Sequence, residues 1–404
     1  MHWGPAVSGV VAVSAARNPR IVPWFNGANR LVLVVGTAAL AGLLAVVVLQ
    51  QGATWRMPAL VLAGAAIGAV LLRTSFGFAG AFRAVVERRD GSGFQAHAIM
   101  LAVATALMFP LLAAGQVFGM AMTGGATPVG VGFAVGALLF GAGMQIGGGC
   151  ASGTLFALGG GNARLIGTLA GFVVGSALGA AHMGFWWSLP SLPAATAQGL
   201  VGFGPAFAMQ IAALALLFLV ARRLGPAAPG LSAPARALIW GGVALAILNA
   251  LVLLLSGKPW GETSAFALWG SKAAMALGID AHGWAYWQRP GFGAQLDRTV
   301  LVDATSVMDG AILIGAALAA AAARVFRPSM GGGSKAWIAA LLGGIAMGYG
   351  ARLSNGCNIG AYFSAIGAGN LSGWAWMVLA LAGSWIGVRM RPWFSLSRAP
   401  ATVC

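Results

Sequence analysis

Two of the three cysteines in this chain of 404 residues sit in related surroundings. Cys150 lies in GMQIGGGCASGTLFALGGGN and Cys357 in GARLSNGCNIGAYFSAIGAGN. The two stretches share Gly seven residues before the cysteine (Gly143, Gly350), Gly one before (Gly149, Gly356), Gly three after (Gly153, Gly360) and Phe six after (Phe156, Phe363). Each ends in Gly-Asn ahead of a new apolar run. A thiol of ordinary acidity is neutral at pH 7 and donates a weak S–H hydrogen bond without adding a charge that would repel an anion. Its sulfur is soft and polarizable. The chemistry that suits such a pair is contact with a ligand whose own exposed sulfur carries charge, and thiosulfate is the simplest candidate.

A buried cysteine is commonly just a small apolar residue. Matched placement in two copies argues against that reading for Cys150 and Cys357, whereas Cys404 has no counterpart. A disulfide between Cys150 and Cys357 stays open at this level. The neighbours Gln145, Ser152, Asn355 and Asn358 either line a polar path or satisfy loop backbone. Arg352 either steers an anion or snorkels to an interface, and Lys272 is a weaker candidate for anion attraction. Asp303 and Asp309 open a span and read as a solvated helix start. His97, His182 and His282 have no metal-ligand spacing, so no metal is expected, and no cofactor is implied.

The elements that must hold these residues are membrane spans. The chain is 59% hydrophobic and 7% charged, with mean hydropathy +0.87, against about a quarter charged in a soluble domain. Ten apolar runs, near 31–51, 57–72, 97–115, 128–147, 164–187, 205–221, 237–256, 303–323, 336–351 and 371–388, are of spanning length. Four stretches broken by Gly, Ser or Asn, at 74–86, 148–162, 261–279 and 352–369, are expected to be re-entrant. Non-helical backbone at membrane depth requires burial in protein or a solvated cavity. Short half-helices beginning at the cysteine loops would aim amide groups and positive helix ends at an anion. On this basis the candidate substrate-binding residues are Cys150, Gly149, Ser152 and Gly153 with Cys357, Asn355, Gly356, Asn358 and Gly360.

The net charge of +16 comes from 23 Lys and Arg in short loops with no basic stripe, which argues for topology and against nucleic acid. With the N-terminus inside, 17 of them fall in cytoplasmic connections and six outside. The first cysteine loop then enters from the cytoplasm and the second, five spans later, from outside. An odd interval inverts the copy. The fold class expected is an all-α polytopic membrane protein of two inverted repeats, each of about five transmembrane helices with two re-entrant short helices, an arrangement transporters use. The divisions are 1–30 as an N-terminal cytoplasmic segment, 31–190 and 203–390 as the half-repeats, and 391–404 as a cytoplasmic tail. The N-terminus has no basic n-region with a long apolar core, so no cleaved signal peptide is expected.

GGGCASGTLFALGGGN together with GARLSNGCNIGAYFSAIGAGNLSGWAW resembles the paired signature of the YeeE/YedE family of bacterial sulfur-compound transporters, and PWGETSAFALWGSK is also similar to it. The resemblance covers about residues 56–390. It implies an hourglass-like inner-membrane protein for thiosulfate uptake, narrow at its centre, where Cys150 and Cys357 contact the passing substrate's sulfur. It also implies, in some members, a small cytoplasmic sulfurtransferase-type partner. Members can carry a further cysteine in the first re-entrant segment; RTSFGFAGAFR has none here. Two alternatives accompany the transport reading: a membrane sulfurtransferase that forms a cysteine persulfide, for which no acidic or histidine base stands near either motif in sequence, and transport of a selenium compound.

Overall fold

A computed structural model describes residues 24–51, 54–225 and 233–396. Cys404 and most of the expected N-terminal segment and tail lie outside the described residues. The helices are, in order, α1 (Trp24–Gln51), α2 (Arg56–Thr74), α3 (Phe78–Arg88), α4 (Ser92–Ala114), α5 (Val131–Gly147), α6 (Ala151–Gly159), α7 (Leu165–Ala181), α8 (Met183–Trp187), α9 (Ala197–Val201), α10 (Phe203–Leu224), α11 (Ala233–Ser256), α12 (Thr263–Ala276), α13 (Ala294–Asp297), α14 (Ala304–Ala322), α15 (Ser334–Leu353), α16 (Ala365–Gly367) and α17 (Ser372–Met390). A π-helical turn, Asn358–Ser364, leads into α16. The strands are two-residue pairs that clip connections together: Gln116–Val117 with Met120–Ala121, and Val129–Gly130 with Ser191–Leu192.

The all-α polytopic fold class holds. Among the described residues eight helices are long and apolar enough to cross a membrane, and they match eight of the ten expected spans. The remaining two are α7, an apolar helix of 17 residues, and α17, a helix of 19 residues with Arg389 in its last turn. The run expected at 164–187 is interrupted at His182, which closes α7 and precedes α8. All four broken stretches contain short helices: α3, α6, α12, and the π turn with α16.

What lets these helices approach is glycine. On α15, a methyl group added at Gly344 would drive into the Thr168 carbonyl and one at Gly348 into the Phe172 carbonyl. On α7, Gly171 and Gly175 meet the carbonyls of Leu341 and Ile345 in return. The α5–α17 contact is built the same way, from Gly141 on Ala380 and Gly383 on Leu138. In hydrocarbon no hydrophobic force drives helices together, so close van der Waals approach over small residues has to supply the association. The repeat glycines seven residues before each cysteine serve this purpose, Gly143 against the Gly343 carbonyl and Gly350 against that of Gly136.

The packing partners exchange in pairs. As α7 packs on α15, α5 packs on α17; as α2 packs on α14, α11 packs on α4; as α1 packs on α14, α10 packs on α4; and α12 packs on α7 as α3 does on α17. Helices α2 with α11, and α5 with α15, pack on each other. The chief apolar spanning windows of α1 and α10 are only 6% and 17% buried, so these two form the flanks while the short helices occupy the centre.

Gly348→Ala is expected to lower stability by about 1–3 kcal/mol, the usual cost of overpacking. Gly42→Ala, where an added methyl meets nothing within 4 Å, should raise it by about 0.4–1 kcal/mol through the less flexible unfolded chain. Thermal unfolding of the detergent-solubilised protein, followed by its monodisperse fraction, checks both signs.

Candidate functional site

Each cysteine is the residue that starts a short helix. Gly148 (φ +91°) ends α5, and Cys150 then adopts extended backbone so that its Sγ accepts from Gly153 N–H at 3.4 Å. Ser152 Oγ stands 3.4 Å from the same sulfur, and the backbone of Ala79, in the first turn of α3, also faces it. In the second copy Gly356 (φ +150°) turns the chain, a conformation open to glycine. Cys357 is again extended, with Ile359 N–H donating to its Sγ at 3.4 Å and the backbone of Gly360 close by. Both thiols are free and buried, about 1% exposed, in one continuous core cluster. The disulfide left open by the sequence is not formed.

The copies are not identical. After Cys150 the chain is an ordinary α-helix, whereas after Cys357 it is a π turn. Asn249 on α11 holds the π turn, donating to Ser364 Oγ at 2.9 Å and accepting from Trp260 N–H at 2.8 Å. Ser364 in turn donates to the Trp260 carbonyl at 2.6 Å. These bonds tie the second cysteine segment to the approach of α12. Asn358, beside Cys357, is fully buried, and neither its amide nitrogen nor its amide oxygen has a hydrogen-bond partner. Buried polar side chains are nearly always paired, so this amide is available to a polar ligand.

A carboxylate stands beside the thiols. Cys357 S–H donates to Glu262 Oε2 at 3.7 Å. Glu262 is 1% exposed, its other oxygen has no partner, and it lies within electrostatic range of both cysteines. No acidic residue stands near either motif in sequence, yet the fold brings one to the second thiol. Glu262 precedes α12, 95 residues from Cys357 in the chain, and only folding joins them. Next to it, Thr263 Oγ1 accepts from Arg352 Nη2 at 3.0 Å.

Arg352 does not snorkel. It is buried on α15, donating to Tyr286 Oη as well as Thr263. Beyond it opens a cavity of about 210 Å³ whose lining includes Arg352, Arg289, Tyr286, Trp186, Thr127 and Asn355. Arg289 lies over the rings of Phe292 and Tyr286, 3.7 and 4.3 Å from their centroids, and burial with the neighbouring Arg352 charge lowers its pKa from the usual arginine range. Asn355, in left-handed backbone, donates to Thr127 Oγ1 at 2.9 Å in this cavity and is exposed. The structure thus gathers Gly149, Cys150, Ser152 and Gly153 at one helix start and Gly356, Cys357, Asn358 and Gly360 at the other, and puts Asn355 a step away at the cavity.

Away from the cavity, Phe76, Phe78, Phe82, Phe94, His97, Tyr362 and Trp376 form a buried ring cluster. Its members come from the α2–α3 connection (Phe76), α3, α4, the π turn and α17, and Tyr362 Oη meets His97 Nδ1 at 3.5 Å. Gln145 is occupied with Ala79 O and Ser384 Oγ, at 3.2 and 3.3 Å, and knits α5 to α3 and α17. Lys272 bonds the Leu296 carbonyl at 2.5 Å, remote from the thiols. Asp303 caps α14 as expected, accepting from Ser306 N–H at 2.8 Å, but Asp309 is fully buried and not solvated. Among the described residues no cluster of three metal-ligating side chains occurs.

Fold and site together define a multi-pass membrane protein with a buried thiol pair at the centre of its helices. A family model described as sulphur transport matches residues 73–386, and the chain belongs to this family. It is 31% identical over 157 residues to a probable transporter YedE of Salmonella typhimurium, covering 39% of this chain and 37% of that one. It is 29% identical over 147 residues to YedE of Escherichia coli K12, covering 36% of each. These matches span little more than a third of the two YedE proteins. It is 26% identical over 355 residues to the thiosulfate transporter TsuA of Spirochaeta thermophila, covering 80% of this chain and 96% of that one.

Because both cysteines are free and buried, a Cys404→Ser variant is expected to show two thiols per chain after denaturation without reductant. The same variant in native membranes should leave both unlabelled by a membrane-impermeant maleimide over the time that labels the denatured sample fully. Counting adducts by intact mass checks both statements.

Proposed function

We propose that this protein carries thiosulfate, or a closely related sulfur anion, inward across the bacterial cytoplasmic membrane by contact with Cys150 and Cys357. The observation that carries the reading is the placement of two free thiols in one buried core cluster, each at the start of a short helix and each faced by backbone N–H groups. The unpartnered Asn358 amide beside Cys357 offers donors for the oxyanion end. The family and the name of the Spirochaeta relative point to the same class of substrate. Sulfate lacks a soft terminal sulfur and should gain little from the thiols.

On this reading residues 31–190 and 203–390 are the two halves, related by a two-fold axis in the membrane plane, and the exchanged helix pairings support that division. With both termini cytoplasmic, the cavity at Arg289 and Arg352 faces outward and receives the anion. The chain of contacts Arg352–Thr263 and Glu262–Cys357 leads from it to the thiols. The aromatic cluster around Phe82 and Tyr362 then closes the cytoplasmic side, and opening that layer would release the substrate to cytoplasm or to a sulfurtransferase-type carrier.

A second reading gains one observation from the structure. Glu262 is placed to take the Cys357 proton, so that the thiolate could attack the terminal sulfur of thiosulfate, form a cysteine persulfide and release sulfite. Intact mass after exposure to thiosulfate separates the two, since a stoichiometric gain of one sulfur belongs only to this second reading.

Purified protein in liposomes is expected to take up sulfur-labelled thiosulfate with no competition from excess sulfate. Cys357→Ala and Cys150→Ala should reduce uptake to the level of empty liposomes while eluting as the wild type does. Normal uptake by both variants would remove the thiols from the mechanism.

A further inference from the structure

Glu262 lies buried beside Cys357, and a second buried acidic side chain, Asp309, stands on α14, whose start touches that of α12 through Ser264 and Thr305 at 3.2 Å. Asp309, in the second turn of α14, is 0% exposed, and neither carboxylate oxygen has a hydrogen-bond partner. Glu262 is 1% exposed with Oε1 unpartnered, and the two carboxylates are close enough to interact electrostatically. Around Glu262 stand Cys357 and, more distantly, Cys150, with Arg352 one residue removed through Thr263. The other charge near Asp309 is Asp303, whose Oδ2 is occupied by Ser306.

The elements packed on α14 bring no cation to Asp309. Arg56 at the start of α2 bonds the Phe118 carbonyl at 2.7 Å, and Arg73 at its far end is exposed. Arg30 on α1 is exposed, α6 carries no charged residue, and Lys272 on α12 is held by Leu296. A lone ionised carboxylate in an apolar interior is far costlier than a protonated one. Ionisable residues held inside a membrane bundle mark proton relays in pumps and transporters.

We propose that Glu262 and Asp309 bind the two protons that cross with each thiosulfate, making the protein a proton symporter. The proposal rests on the thiosulfate reading. Thiosulfate carries two negative charges at neutral pH, and each charge entering a cell at 100 mV, negative inside, is opposed about fifty-fold at equilibrium. Two protons moving with the dianion make the step electrically neutral. Glu262, bonded to Cys357, couples proton occupancy to the state of the thiol, and Asp309 supplies the second charge. An ionised Glu262 beside the thiols would repel the anion; a protonated one would not.

The test uses the full chain in liposomes with a trapped pH dye and the potential clamped by potassium and valinomycin. Wild-type uptake should acidify the interior by two protons per labelled thiosulfate, and accumulation should follow an imposed pH gradient and ignore the clamped potential. Asp309→Asn should elute from size exclusion as the wild type does, which shows that it is folded. Its net uptake should carry one proton per anion, and its accumulation should fall about fifty-fold per 100 mV, negative inside. Net uptake without acidification, uptake driven by a sodium gradient, or an unchanged two-proton ratio in Asp309→Asn would each overturn proton coupling and leave the transport reading standing. Absence of uptake in the wild type would remove the thiosulfate reading and the coupling with it.

Discussion

Backbone-to-backbone contact across glycine is the interaction on which the rest of this structure depends. Gly344 and Gly348 let α15 lie against α7, while Gly171 and Gly175 complete the same contact from the other side. The α5–α17 seam repeats the solution with Gly141 and Gly383. In hydrocarbon the association of such helices comes from close van der Waals packing, so a side chain at these positions would separate the helices and dissolve the frame around the thiols. The high glycine content thus has two physical roles, approach in the long helices and turning freedom at Gly148 and Gly356.

That frame makes a polar interior tolerable. Short helices can stop inside the bundle because other helices surround them and their free amides turn on the cysteine sulfurs. The Cys150 sulfur meets N–H groups of α6, and the Cys357 sulfur those of the π turn, so two thiols that would be inert in an apolar core become part of a donor-rich site. Arg352 extends the polar path to the cavity, with its charge anchored by two hydroxyls.

The departure from symmetry is equally physical. The second cysteine segment winds as a π turn, held by Asn249, Ser364 and Trp260, while the first is α-helical. Glu262 touches only the second thiol directly. A repeated sequence therefore yields two cysteines with different chemistry: Cys150 is hydrogen-bonded to a hydroxyl and Cys357 to a carboxyl group.

The sequence by itself determined the all-α membrane architecture, the positions of four short helices in the broken stretches and the recurrence of one motif around Cys150 and Cys357. Hydropathy and glycine spacing are local signals, and a span or a turn must satisfy its own backbone wherever it packs. It also determined that Asn358 and Ser152 would flank the thiols, since they are chain neighbours. Only the tertiary structure decided that Glu262 reaches Cys357, that Arg352 is buried against Tyr286 and Thr263, that Asn355 belongs to the cavity, and that Asp309 is sealed from solvent. These contacts join residues tens to hundreds of positions apart, and a polar side chain near a helix start has the same local sequence whether it faces water or the core. Which neighbour fills the space above it depends on helix crossings, and those are set by glycine contacts whose partners the sequence does not name.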